Sequence, residues 1–166
     1  MGWEKPHLDA KLVEVVKVTY NEGDTKELDN TIPNDIIMNA LPSYYSVSNV
    51  TFVGEGYSSV ASARTSGLGG ADGILRLSGK HQIENSFSAN VGVSAPAVNA
   101  TVSFDVTSSV SRTAVHEIET NGNAYQIDGY TAYNNYAFDV SNIFGVNAGS
   151  GNTLQAIGFC YTTYQI

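Results

Sequence analysis

From Ser86 to Ser111 the chain reads SFSANVGVSAPAVNATVSFDVTSSVS, with apolar and polar residues alternating on both sides of a single proline. Phe87, Ala89, Val91, Val93 and Ala95 share one face of the first arm. Val98, Ala100, Val102, Phe104, Val106 and Val110 share one face of the second, interrupted only by Ser108. A period of two is the signature of a strand with one apolar side. Pairing Ala95 with Val98 sets Val93 opposite Ala100, Val91 opposite Val102, Ala89 opposite Phe104 and Phe87 opposite Val106. All the apolar residues then fall on one face, and a slip by one residue would split them. The pattern predicts a long amphipathic hairpin that turns through a loose loop at Ala95 to Val98, where Pro96 suits a type I or II turn.

The same reading places β-branched KLVEVVKVTY, Lys11 to Tyr20, in a strand ended by NEGD. DNTIPND followed by DIIMNAL predicts one short N-terminal helix, capped by Thr31, with Pro33 in its first turn and Pro42 as its stop. Strands are expected at Val47 to Val53 and Tyr57 to Arg64 around a break at Gly54 to Gly56. SGLGGADG, Ser66 to Gly73, reads as a loop. Further strands are expected at Ile74 to Ser78, then, after a turn at Ser78 to Lys80, at His81 to Ser94, and at Asn99 to Glu119. Asn121-Gly122 is a hairpin turn signal. The Tyr-rich stretch after it supplies one or two strands, VNAGSGN a loop, and Thr153 to Ile166 a last strand that is apolar on both faces and therefore central. The fold class expected is all-β: an elongated antiparallel β-sandwich with a long amphipathic hairpin and one short helix.

Length and composition fit one domain over residues 1–166, with 1–10 as a flexible arm: 166 residues, 14% charged, ten Tyr and one Trp. The net charge of −8 and only eight Lys and Arg argue against nucleic acid as a partner. The one cysteine, Cys160, lies in the apolar run AIGFCYTTYQI and reads as a buried, inert thiol. Met1-Gly2 looks like a start fitted to a mature protein from which a leader was removed.

No chemistry-bearing motif emerges. His7, His81 and His116 stand singly, without the close ligand spacing of a zinc site. No Ser lies in G-x-S-x-G, and GLGGADG lacks the Lys-Ser/Thr end of a phosphate loop. Asp24, Glu27 and Asp29 offer hard oxygens but lack the order of an EF-hand loop, and read as an acidic turn. No catalytic residue, metal or cofactor is expected, and an enzyme is the least favoured class.

Two uses of the predicted hairpin remain. Its apolar face could line a soluble sandwich, or each arm, longer than the ~9–11 residues that cross a bilayer as a tilted strand, could belong to a pore stem. The residues alone favour the soluble wall, because the apolar face lacks an aromatic girdle.

The Ser/Thr-alternating arms, followed by SRTAVHEIETNGNAYQIDGYTAYNNYAFDV, resemble the elongated sheet region of aerolysin-type β-pore-forming proteins and related secreted bacterial β-proteins over about His81 to Val140. The resemblance implies a secreted, extracellular, non-enzymatic, toxin-like protein that forms homo-oligomers at a membrane or cell-surface receptor. Phe87, Ala89, Val91, Val93, Val98, Ala100, Val102, Phe104 and Val106 would form its stem. Exposed Tyr130, Tyr133 and Tyr136 would meet lipid or receptor. The alternatives are a self-assembling surface, fibre or coat subunit that adds its N-terminal strand to a neighbour, and a carbohydrate-binding module in which Trp3 and tyrosines stack on sugar rings.

Overall fold

The computed structural model describes residues 3–20 and 44–166. The expected helix after Thr31 and the acidic turn at Asp24 to Asp29 lie outside the described residues. Within them the chain is nearly all β, built from antiparallel sheets with one short helix. In chain order the elements are β1 (Lys11–Thr19), β2 (Tyr45–Tyr57), β3 (Ala63–Leu68), β4 (Ile74–Glu84), β5 (Ser86–Ala89), α1 (Ala95–Asn99), β6 (Ser109–Glu119), β7 (Ala124–Asn142) and β8 (Asn147–Gln165).

β7 and β8, 19 residues each, form the spine. β8 lies between β7 and β1, the central position expected from its two apolar faces, and β7 lies between β8 and β2. The outer lanes are shared. β3 takes the first part of β7 and β2 the rest, while β5 takes the first part of β8 and β1 the end. Each register shift along β7 places its extra residue on β8 or β2, so β7 keeps a strict alternation. At one of these bulges, Gly158 sits where an added Cβ would lie 1.9 Å from the Val18 carbonyl oxygen, so β1 can pair there only against glycine.

Strict alternation aims Ile127 and Thr131 to one side of the spine and Phe138 and Val140 to the other. The first side is covered by the two-stranded sheet β4–β6. Leu77, Ile83 and Ala114 pack there with Ile127, Phe159 and Tyr161. The second side carries Val47, Val93, Val98, Val102, Val106, Phe138 and Val140. Cys160 is buried and burial pushes its thiol up, against a smaller opposing pull from Lys17.

Several sequence expectations are corrected. β4 runs through Ser78 to Lys80 without a turn, and β2 runs through Gly54 to Gly56, which pair with Asn135 to Tyr133 of β7 just after a bulge at Val53. Ser66 to Leu68 belong to β3. Asn147 to Asn152 belong to β8, where an added Cβ at Gly151 would lie 2.5 Å from the Phe138 ring. Glycine there marks close packing rather than a loop. Asn121 and Gly122 do adopt left-handed φ, 48° and 80°, but the turn links β6 and β7, which belong to different sheets. It docks instead on the β3–β4 turn, where Thr120 donates through its amide to the Gly73 carbonyl at 2.9 Å.

The largest correction is the hairpin between Ser86 and Ser111. Phe87 pairs with Thr153 of β8, not with Val106, and the second arm is a helix and loop before β6 begins at Ser109. The reason lies in APAVNA. Pro96 sits at the start of α1, where its missing amide costs nothing, and three alanines are strong helix formers but poor strand formers. Val98, Val102 and Val106 satisfy a spacing of four as well as of two, and these are the three that the core buries from the second arm.

A folded-back segment and an aromatic recess

Residues 85–108 leave β4 and return to β6, and they are held by side chains more than by a ladder. Asn85 is the hinge. Its backbone amide donates to the Ser108 carbonyl at 2.8 Å, its side-chain amide donates to the Asp105 carbonyl at 2.9 Å, and its Oδ1 accepts the Ala156 amide of β8 at 2.7 Å. β5 then adds four residues to β8, and Asn90 continues the contact by accepting the Ser150 amide at 2.9 Å.

The return limb is closed by Asn99 and Asp105. Asn99 Oδ1 accepts the Val106 amide at 2.8 Å. Asp105 Oδ1 accepts the Thr107 amide at 2.9 Å and the Thr107 hydroxyl at 2.8 Å, with the Asn99 side-chain amide at 3.3 Å. Burial works to raise the Asp105 carboxyl, but these hydrogen bonds outweigh it and hold the group below the usual carboxylate range. The Thr101 hydroxyl donates to the Val47 carbonyl at 3.0 Å and ties the limb to β2. Sequence reasoning missed Asn85, Asn99 and Asp105. The available signal was Asn99 and Asp105 among the Ser and Thr of the polar face, and Asn85 breaking the apolar face between Ile83 and Phe87.

Of the stem candidates, Val93, Val98, Val102 and Val106 are buried in the core, Phe87, Ala89, Val91 and Phe104 pack against it half-buried, and Ala100 is exposed. In this conformation the apolar face meets protein. Beneath the hinge lies a cavity of 190 Å³ lined by Tyr20, Ile83, Asn85, Phe104 and Arg112 among others. The Arg112 guanidinium sits 4.8 Å above the Tyr20 ring, and the Tyr20 hydroxyl donates to the Thr113 carbonyl at 3.1 Å. His116 is stacked on Tyr161, with ring centroids 5.0 Å apart, and its Nε2 lies 3.2 Å from Glu14, which joins β6 to β1.

The three tyrosines nominated for receptor contact do not form one exposed surface. Tyr130 is buried, a correction to its expected exposure, because Trp3 packs over it with centroids 4.8 Å apart. Tyr133 is half-buried. Burial raises its phenol, with a lowering from the Thr131 hydrogen bond and a raising from Glu84. Tyr136 is wedged between Phe52 and Phe104, at 5.5 and 5.7 Å. Trp3, Tyr57 and Tyr130 instead border a recess of 270 Å³ with Glu55, Ser58 and Ser59. Their rings pack on one another at 53° and 47° rather than lying open as a flat platform. Among the described residues no three His, Cys, Asp or Glu side chains group as metal ligands, and no helix is long and apolar enough to cross a membrane.

No family model matches this chain, and no curated protein matches it. Among solved structures it is similar to the crystal structure of parasporin-2, a Bacillus thuringiensis toxin that recognises cancer cells, at 9% identity. The match covers 73% of this chain and 67% of the toxin chain, with a TM-score of 0.29.

Proposed function

We propose that this chain is a secreted, non-enzymatic, membrane-active β-protein, toxin-like in action, whose 85–108 segment is the folded-back end of an insertion hairpin. One observation carries the reading. β4 and β6 already pair as an antiparallel ladder from Ile74 opposite Glu119 to Glu84 opposite Ser109. Continued rung by rung without a shift, that ladder sets Phe87 opposite Val106, Ala89 opposite Phe104, Val91 opposite Val102, Val93 opposite Ala100 and Ala95 opposite Val98. This is the register in which the amphipathic pattern of the sequence closes on itself.

The faces agree as well. Leu75, Leu77 and Ile83 of β4, with Ile118, Ala114 and Val110 of β6, point to the same side that Phe87 to Ala95 and Val98 to Val106 would extend. The two apolar limbs, 87–95 and 98–106, each match the ~9–11 residues of a bilayer-crossing strand. Asn85 and Ser108 end the apolar face on its watery side. Unzipping the hinge would exchange packing on the spine for lipid contact and close the unmade rungs of the ladder, so the segment has two hydrogen-bonded destinations.

Leakage of a trapped dye from liposomes, before and after limited proteolysis, tests the reading. Release accompanied by a detergent-resistant oligomer on gels is expected. No release at any protein concentration, together with no oligomer, would sink it. A second reading, self-assembly by strand addition, is favoured by β1, whose outer edge pairs with no described strand and whose Leu12, Val13, Val15 and Val18 are exposed. Val13→Lys with Val15→Lys should then abolish concentration-dependent assembly and leave dye release intact.

A further inference from the structure

The same register sorts the side chains of the opposite, polar face, and on that face the charges are one-sided. Resting on the insertion reading, we propose that the pore this hairpin forms passes cations in preference to anions, with Asp105 and Glu84 as the residues that select them.

Extending the β4–β6 ladder puts Ser86, Ser88, Asn90, Gly92 and Ser94 on the polar face of one arm. Asn99, Thr101, Ser103, Asp105 and Thr107 fall on the other. Across the apolar limbs, the one charge on this face is Asp105, opposite Ser88. The next residue pair beyond the limbs on the same face that carries charge is Glu84 with Ser109. Both charges are negative. A strand rises ~3.3 Å per residue, so Asp105 and the rung of Glu84 lie about 13 Å apart, one inside the bilayer and one at its mouth.

The basic residues of the hairpin do not offset them. Lys80 is four residues beyond Glu84, again about 13 Å, which exceeds the screening length of ~10 Å at 0.1 M salt. Arg76 stands opposite Glu117, with Nε 3.9 Å from its carboxylate, and Glu119 lies beyond it. Arg112, His81 and His116 belong to the apolar side of the ladder, above Asn85 and Ser108. In a ring of identical subunits each acid becomes a ring of carboxylates facing water, the arrangement that concentrates cations in a narrow channel and repels anions. Glu84 is exposed in the folded chain, so it is free of the folding role that Asp105 carries through Thr107 and Asn99.

Planar bilayers bathed in asymmetric KCl test this on the full chain through the reversal potential. The expected result is a K⁺ to Cl⁻ permeability ratio several-fold above one. It should fall toward one in Asp105→Asn and fall partway in Glu84→Gln, with channel frequency in Glu84→Gln unchanged. Should Asp105→Asn fail to fold, Glu84→Gln and the wild-type ratio still decide. Channels that are indifferent to charge or prefer Cl⁻, or a Glu84→Gln ratio equal to wild type, would overturn the assignment and leave insertion standing. The absence of any channel would overturn both.

Discussion

The spine strand β7 ends on a period of two, Tyr136, Phe138 and Val140, like the one that runs through the segment 86–106, yet only β7 is a strand throughout. β7 runs unbroken for 19 residues, with β8 on one side and β3 and β2 on the other. The segment yields four residues of strand, a five-residue helix and a loop. What separates them is the size and branching of the side chains and the availability of neighbours. β7 and β8 carry Tyr130, Phe138, Phe159, Tyr161 and Tyr164 toward cores on both sides, and all are buried. Bulky, aromatic residues with partners in both directions specify one register. The segment offers Ala95, Ala97 and Ala100 around a proline, which fit a pleated surface poorly and a helix start well. Alternation is therefore a permission to form a strand, and packing decides whether it is used.

That contrast can be broken first at the spine. Phe159→Ala, at a fully buried ring in the core beneath β4–β6, should cost about 3–5 kcal/mol by chemical denaturation. A loss near zero would mean that β4–β6 is not held by this core.

Alkali should act on the same region. Burial, aided by Tyr20 and opposed by a hydrogen bond with Val115, pushes the Tyr161 phenol up to about 12 from its ordinary 10.0. A raised pKa means the folded state favours the neutral phenol. The stability it contributes is whole below pH 10 and is lost as pH rises through the folded value. Phenolate absorbance of Tyr161, isolated by comparison with Tyr161→Phe, should therefore appear only with unfolding, near pH 12. Ionisation near pH 10 in a folded protein would contradict the burial.

The segment should give way more cheaply. Val106→Ala removes two methyl groups from a fully buried site and is expected to cost about 1.5–2 kcal/mol. Amide exchange should speed up across 95–108 while β7 and β8 stay protected. A uniform rise over the whole chain would show instead that segment and spine unfold as one unit.

The smallest effect is acid. Asp105 is depressed in the folded state, so its contribution is present above the ordinary carboxylate range and is lost as pH falls through the folded value, below 3.8. Exchange of the Thr107 amide should accelerate there before global unfolding, and Asp105→Asn should remove the acid dependence. An identical pH profile in the variant would assign the loosening to other groups.

Much of the architecture was legible along the chain. The strand at β1, the central place of β8, the buried Cys160 and the left-handed turn at Asn121-Gly122 all follow from local chemistry, because β-branching, two-faced apolarity and positive-φ residues act where they stand. Other features depended on residues far away in sequence. Gly151 reads as a loop residue until the Phe138 ring lies where its Cβ would be, and Tyr130 reads as exposed until Trp3 covers it.

The sequence by itself determined that residues 86–106 carry one apolar and one polar face. Tertiary structure decided that the apolar face packs on Val47, Phe138 and Val140, that Asn85 ties the start of the segment to β8, and that Asp105 closes a turn with Thr107 in the return limb. A period of two fixes which residues travel together. Which surface they bury depends on what the rest of the chain brings within reach, and no local pattern records that.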